Sequence, residues 1–182
     1  TRVFTKIFLA MFGQISWDVC PAVPVEIILF KNWFPLNIYE MSSWSRGTVV
    51  PLSIVVSHKP VCHPLEGHGV KELFTVGDRE LGFEPDGSIF SSWRNFFIYL
   101  DKVIKFVGKS PWKPFRKRAL KKALHWVFEH QEEQGDFAGI QPAMLNSLLA
   151  YHYGGIPKND PKWIKGWEAV ERFLIDKPEG TL

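Results

Sequence analysis

Cys62, His63 and His68 stand within seven residues of one another, and sulfur and imidazole at short spacing can hold a divalent metal. Their spacing fits no standard zinc pattern and a fourth ligand is missing, so no metal site is expected. His58, His125, His130 and His152 are scattered, and no Ser-His-Asp grouping or Gly-rich phosphate loop can be placed. Side chains of this kind give no anchor for a cofactor, and none is expected.

The stretch HQEEQGDFAGIQPAML (His130 to Leu145) is more informative. It reads as the end of one helix, a tight turn and the start of another. Gln131 can bond backbone groups left unpaired at a helix end. Gly135 permits the turn, Phe137 supplies a ring to pack on the neighbouring helix, and the Gln141-Pro142 pair suits a first helical turn. An ordinary amphipathic helix ending at a Gly turn has several of the same residues.

The elements that must position this joint are helical. Among 182 residues, 46% are apolar and 15% aromatic, enough for one globular domain with a core. The net charge of +3 makes a polyanionic partner no default. Cys20 and Cys62 make no disulfide framework and are expected as free, buried thiols. Apolar periodicity places helices near 2–12, 24–31, 38–57, 88–107, 114–130, 141–152 and 161–174, with no confident strand. Pro24 and Pro161 suit first turns, Asp160 an N-cap, and Pro51 should kink or end its helix early. Residues 58–87 read as a long Gly-, Pro- and His-rich loop. Helix pairs joined by short Gly turns, around 114–152 and again from 161, make the class all-α. The chain starts on Thr and ends on DKPEGTL, and it reads as a fragment.

Lys122, Ala123, Trp126, Val127, Gln131, Gly135 and Phe137 carry a spacing that resembles the repeat of the triterpene cyclases. That repeat has a basic, a small, an aromatic and an aliphatic residue, then Q-x-x-x-G-x-W. The one departure is Phe137 in place of Trp, which keeps the ring and loses the indole donor. WDVCPAVPVEI (Trp17 to Ile27), NIYEMSSWSRGTVVPLSIV (Asn37 to Val55), GIQPAML (Gly139 to Leu145) and WIKGWE (Trp163 to Glu168) resemble the squalene–hopene cyclase family, in its order and at about its spacing.

The resemblance implies an α/α toroid of paired helices within a two-toroid architecture, with residues 1–182 covering most of the inserted, second barrel. It implies an isomerase of hopanoid biosynthesis that protonates squalene and closes it ring by ring, without a cofactor, to hopene or hopanol. The family's D-x-D-D acid is absent from these residues, so no catalytic residue is assigned and the piece alone is expected to be inactive. Position by position, Trp44, Ile140, Gln141 and Pro142 fall on the substrate cavity, and Met41 and Val49 on the channel to it. Trp126, Gln131, Gly135 and Phe137 belong to the structural repeat. Met41 departs from the aromatic of some members, and Asn146 stands where some carry Tyr.

Residues 88–107 form an apolar stripe from Ile89 to Val107, widened by Ile98, Tyr99 and Phe106 beyond what one core contact needs. That is the pattern of a helix lying in a membrane interface. KSPWKPFRKRALKK follows, with seven basic residues from Lys109 to Lys122 and no acid. Much of this charge opposes the dipole of the helix it begins, and Glu129, Glu132, Glu133 and Asp136 oppose it at the other end. Something must compensate, and anionic headgroups or local ion pairs both suit. Ala119, Leu120, Ala123 and Leu124 interleave the charges as core positions, which argues against nucleic acid. The expected partners are squalene, membrane lipid and the remaining cyclase domain, on the cytoplasmic side of a bacterial inner membrane. A non-catalytic α/α module that binds a lipid or a partner protein at a membrane is the other reading.

Overall fold

The computed structural model describes residues 3–34, 37–62, 69–70, 83–110, 112–177 and 180–181. Its α-helices among these residues are α1 (Val3–Met11), α2 (Ser43–His58), α3 (Trp93–Lys109), α4 (Arg116–Glu129), α5 (Gln141–Tyr153) and α6 (Pro161–Glu171). The extended pairing described is a two-residue antiparallel ladder, β1 (Asp176–Lys177) on β2 (Gly180–Thr181). The all-α class is therefore the observed one. Within the expected 58–87 loop, residues 63–68 and 71–82 lie outside the described set. So do His63 and His68 of the imagined metal cluster, and among the described residues no group of ligands could hold a metal.

The chain divides into two compact units, 1–22 with 59–113 and 23–58 with 114–182. In the second unit α2 packs along α5 and α4, α6 packs on α5, and the 3-10 turn Val25–Leu29 packs on α4. Ala119, Ala123 and Val127 recur at helical spacing and become the buried face of α4. α5 has no such stripe. Ala143, Met144, Asn146, Ser147, Leu148, Ala150 and Tyr151 are all buried, because neighbours enclose that helix from several sides.

Three sequence expectations need correction. The helix expected at 24–31 is a five-residue 3-10 turn, anchored by buried Val25 and Ile28, and Pro24 caps it from an extended conformation. The helix expected from residue 38 is broken. Asn37 accepts the Tyr39 and Glu40 amides on its side chain, holding a 3-10 turn Ile38–Glu40, and Met41 is extended before α2 begins at Ser43. Pro51 does not end α2, which runs on to His58. Proline inside a helix costs about 3 kcal/mol. Buried Val50, Leu52, Ile54 and Val55 around it each return about 1.5–3 kcal/mol, so packing outweighs the lost bond.

In the first unit α1 buries Ile7, Ala10, Met11 and also Lys6, whose ammonium lies over the Phe83 ring at 4.0 Å. Cys20 is buried as expected, whereas Cys62 is exposed, a correction to the pair of buried thiols. α3 starts at Trp93 rather than 88, because Ser92 caps it by accepting the Asn95 amide. Asn95 and Ile98 are buried, and the Asn95 amide donates to Ser91 Oγ at 2.6 Å and accepts the Asp86 N–H at 3.3 Å. Asp101, mostly covered, accepts the Ala22 N–H at 2.6 Å and pairs with Lys105 at 2.7 Å. Asp101→Ala should therefore destabilise the protein by about 1–3 kcal/mol, since a covered N–H and ammonium lose their acceptor. Chemical denaturation checks this, and no change would mean that the Ala22 contact is not formed in solution.

Candidate functional site

The His130–Leu145 joint is the best-built polar site of the second unit. Gln131 leaves the end of α4 and its amide makes three hydrogen bonds. Nε2 donates to Gly135 O at 2.9 Å and to Lys162 O at 2.9 Å, and Oε1 accepts the Tyr151 hydroxyl at 3.1 Å. One side chain thus ties the turn after α4 to the first turn of α6 and the last turn of α5. Gln131 makes these bonds beyond α4 and does not cap the last carbonyls of that helix. Instead the His130 imidazole bonds the Trp126 carbonyl at 2.8 Å, and the Lys162 ammonium reaches the Phe128 carbonyl while lying 4.8 Å above the Phe128 ring. These two cations or donors supply what the C-terminal end of α4 needs.

Gly135 is required twice over. Its φ is +91°, and a Cβ would overlap the Lys165 carbonyl of α6. Phe137 is buried and meets Tyr151 edge-on at 6.1 Å, so the ring of the repeat packs on the neighbouring helix as expected. Trp126 is half-buried and stacks on His130 at 3.8 Å. Tyr151, Lys162 and His130 were not singled out by sequence. A tyrosine near the end of an apolar helix is the only available signal, since a buried phenol needs a partner.

The residues expected to line a cavity lie at one side of this joint. Ile140 is the N-cap residue of α5, half-buried against the core, and Gln141 and Pro142 open the helix and are exposed. Ala138 and Gly139 reach left-handed backbone just before them, at φ +56° and +61°. Trp44, in the first turn of α2, is 65% exposed. A Cβ on Gly47 would stand 3.7 Å from Ala138 and 3.9 Å from Ala143, so the start of α2 meets the start of α5. Trp44 and the Ile140–Pro142 segment are thereby brought to the same region. Met41 lies in the extended link before α2 and Val49 on α2, both half-buried. Five residues at about 100° each put Val49 well round the helix from Trp44, so these two do not share a face. Asn146 is buried with its Nδ2 unpartnered among the described residues.

The arrangement offers rings, aliphatic surface and neutral polar atoms, with no nucleophile among the named cavity residues. Burial, and secondarily the Asp160 carboxylate, push the Tyr151 phenol above its ordinary value of 10.0. It therefore stays a neutral donor to Gln131.

Short Gly turns, a glutamine that binds one helix to the next two, and a buried aromatic at the joint after α4 fit the class of α/α-toroid proteins built from paired helices. The chain belongs to the squalene–hopene cyclase family. The family model of the squalene-hopene cyclase N-terminal domain matches residues 1–179. A squalene–hopene cyclase of Alicyclobacillus acidocaldarius is 38% identical over 182 residues, covering 99% of this chain and 28% of that protein. One of Zymomonas mobilis is 37% identical over 174 residues, 96% of this chain and 26% of that protein. A dammaradiene synthase of Dryopteris crassirhizoma is 32% identical over 183 residues, 98% of this chain and 26% of that protein. The chain spans about a quarter of the length of these curated relatives.

Two variants test the joint. Gly135→Ala should cost more than about 3 kcal/mol, because strain and a backbone clash coincide. Thermal unfolding measures it, and a cost below that of an ordinary surface substitution would remove the close approach of α6. Tyr151→Phe tests the raised phenol. The unfolded chain releases this proton near pH 10 while the folded chain keeps it, so its share of stability is present below pH 10.0 and lost as the pH rises beyond. The stability difference between wild type and Tyr151→Phe should shrink above that pH in parallel denaturation series. A difference independent of pH would contradict the buried, neutral phenol.

Proposed function

We propose that these residues are part of an enzyme that cyclises squalene to hopene and hopanol by proton-initiated polycyclisation, in hopanoid biosynthesis. The observation that carries this reading is the unbroken family match from residue 1 to 179, with relatives named squalene–hopene cyclase among the most similar. The segment is read as most of the inserted α/α barrel of that architecture. No D-x-D-D acid occurs in it, so the initiating proton comes from outside these residues.

In this reading Trp44 presents its ring face to a carbocation, which a negative quadrupole stabilises without offering a nucleophile. Ile140 shapes the folded chain by contact. Gln141, held at the mouth of α5 by Pro142, positions the water that takes the last proton or becomes the hydroxyl of hopanol. Met41 and Val49 border the substrate channel. The exposure of Trp44, Gln141 and Pro142 at one meeting of helices supports a shared cavity wall.

The enzyme acts on an apolar substrate dissolved in a bilayer, and α3 provides the contact. No described helix is long and apolar enough to cross a membrane. Yet Trp93 is 77%, Phe97 51% and Phe106 78% exposed on a helix that also exposes the charges of Arg94 and Lys102. A helix lying in the interface has that polarity. The cytoplasmic face of a bacterial inner membrane is the proposed location, and the remaining cyclase domain the protein partner.

Two measurements test this. In the full-length protein supplied with squalene, Ile140→Ala should release partly cyclised, prematurely quenched products detectable by mass spectrometry. An unchanged product profile would count against the cavity assignment. Trp93→Ser with Phe97→Ser should weaken binding to phosphatidylcholine vesicles more than about tenfold, since each buried ring contributes about 1.5–3 kcal/mol. Unchanged flotation would place the membrane contact elsewhere.

A further inference from the structure

α2 and α5 lie side by side and run the same way. At their starts a Cβ on Gly47 would stand 3.9 Å from the Ala143 Cβ, and at their ends the His58 and Tyr153 rings stack at 5.8 Å. Pro51 follows Gly47, and Ser147 follows Ala143, by about one helical turn. The two residues therefore stand at about the same level of the seam between the helices. Both are buried, Ser147 to 1% exposure. Gly47 and Ala143 put little bulk into this stretch of the seam.

Each side of the seam has a hydrogen-bonding group to satisfy. Pro51 has no N–H, so the Gly47 carbonyl, which points along α2 toward it, loses the donor that an unbroken helix would supply. Side chains answer other carbonyls of this helix: Thr48 donates to Trp44 O at 3.0 Å, Ser53 to Val50 O at 2.6 Å and Ser57 to Ser53 O at 2.7 Å. None of these three reaches Gly47. On α5 the Ser147 hydroxyl has no partner among the described residues, so it stands beyond direct bonding distance of that carbonyl. Buried hydroxyls and carbonyls are costly to leave unpaired. A donor and an acceptor that face one another across more than a direct bond are satisfied together by one water between them.

We propose that the seam between α2 and α5 is a binding site for a single buried water, which donates to the Gly47 carbonyl and accepts from the Ser147 hydroxyl. The water replaces the N–H that proline withholds from α2. Two protein partners meet the minimum that holds an internal water in place. Pro51 and Ser147 then act as a pair, since the carbonyl freed by the one is answered through the other. The site belongs to the scaffold of the second unit and stands whatever the adjoining cavity accepts.

The test is a crystal structure of the full-length protein together with a double-variant cycle read by thermal unfolding. Density for one water should appear about 2.7–3.1 Å from both Ser147 Oγ and Gly47 O. Ser147→Ala takes away one of the water's partners and should lower the unfolding midpoint. Pro51→Ala gives the Gly47 carbonyl an N–H again, and in that background Ser147→Ala should have no cost. Without the water, Ser147→Ala merely deletes an unpaired hydroxyl. An unchanged or higher midpoint for that single variant would therefore overturn the site. An equal loss with and without Pro51 would make Ser147 a packing contact unrelated to the carbonyl, and would overturn it too. So would density that shows the Ser147 hydroxyl turned onto the Ala143 carbonyl with no water between the helices.

Discussion

Most of the second unit depends on where one carboxamide can find partners. The Gln131 amide has two donor hydrogens and an oxygen, and here both hydrogens and the oxygen are engaged by Gly135, Lys162 and Tyr151. Each partner belongs to a different piece of chain: the turn, the start of α6 and the end of α5. Remove the amide and a fully buried phenol loses its acceptor, a penalty of about 1–3 kcal/mol. The bare backbone at Gly135 is the geometric counterpart, since α6 comes close enough there to exclude a side chain. Polar and steric constraints therefore meet at one joint, and the helix pairs inherit their spacing from it.

That joint also explains the order of the neighbouring residues. The left-handed turn at Ala138 and Gly139 brings the chain back to start α5, with Ile140 packed on the core and Gln141 and Pro142 left outside. The joint and the exposed opening of α5 are therefore successive stretches of one segment. The start of α2 meets the same place through Gly47. Charges follow a similar logic. Cations at the start of α4 are answered by Glu26 and by a carbonyl of the adjoining turn, and its C-terminal carbonyls by Lys162 and His130.

Much of this was legible in the sequence, for reasons that differ by element. α4 and α6 announce themselves through periodic apolar positions and, in α6, through Asp160 accepting the Lys162 amide behind Pro161. The glutamine and glycine of the joint were found from the resemblance of their spacing to the triterpene-cyclase repeat, although the partners of Gln131 were not. Lys162 and Tyr151 are 31 and 20 residues away, and no local pattern encodes a pairing at that distance. The 3-10 turns at Val25–Leu29 and Ile38–Glu40 passed for helix because their apolar spacing is helical over so short a span. Pro51, expected to kink its helix or end it early, does not end it, since tertiary burial decides a helix that propensity would cut. The packing of α3 was legible only in part: the aromatic excess was visible, the roles of Asn95 and Asp101 were not.

α5 carries a consequence for how this protein can change over time. With burial on most sides, its middle admits neither added bulk nor polarity without a loss in packing. Its exposed opening pair, Gln141 and Pro142, touches no such limit. Variation that alters what the adjoining space accepts is therefore steered to the ends of the helix. The middle acts as a fixed axle, and change collects at its hub caps.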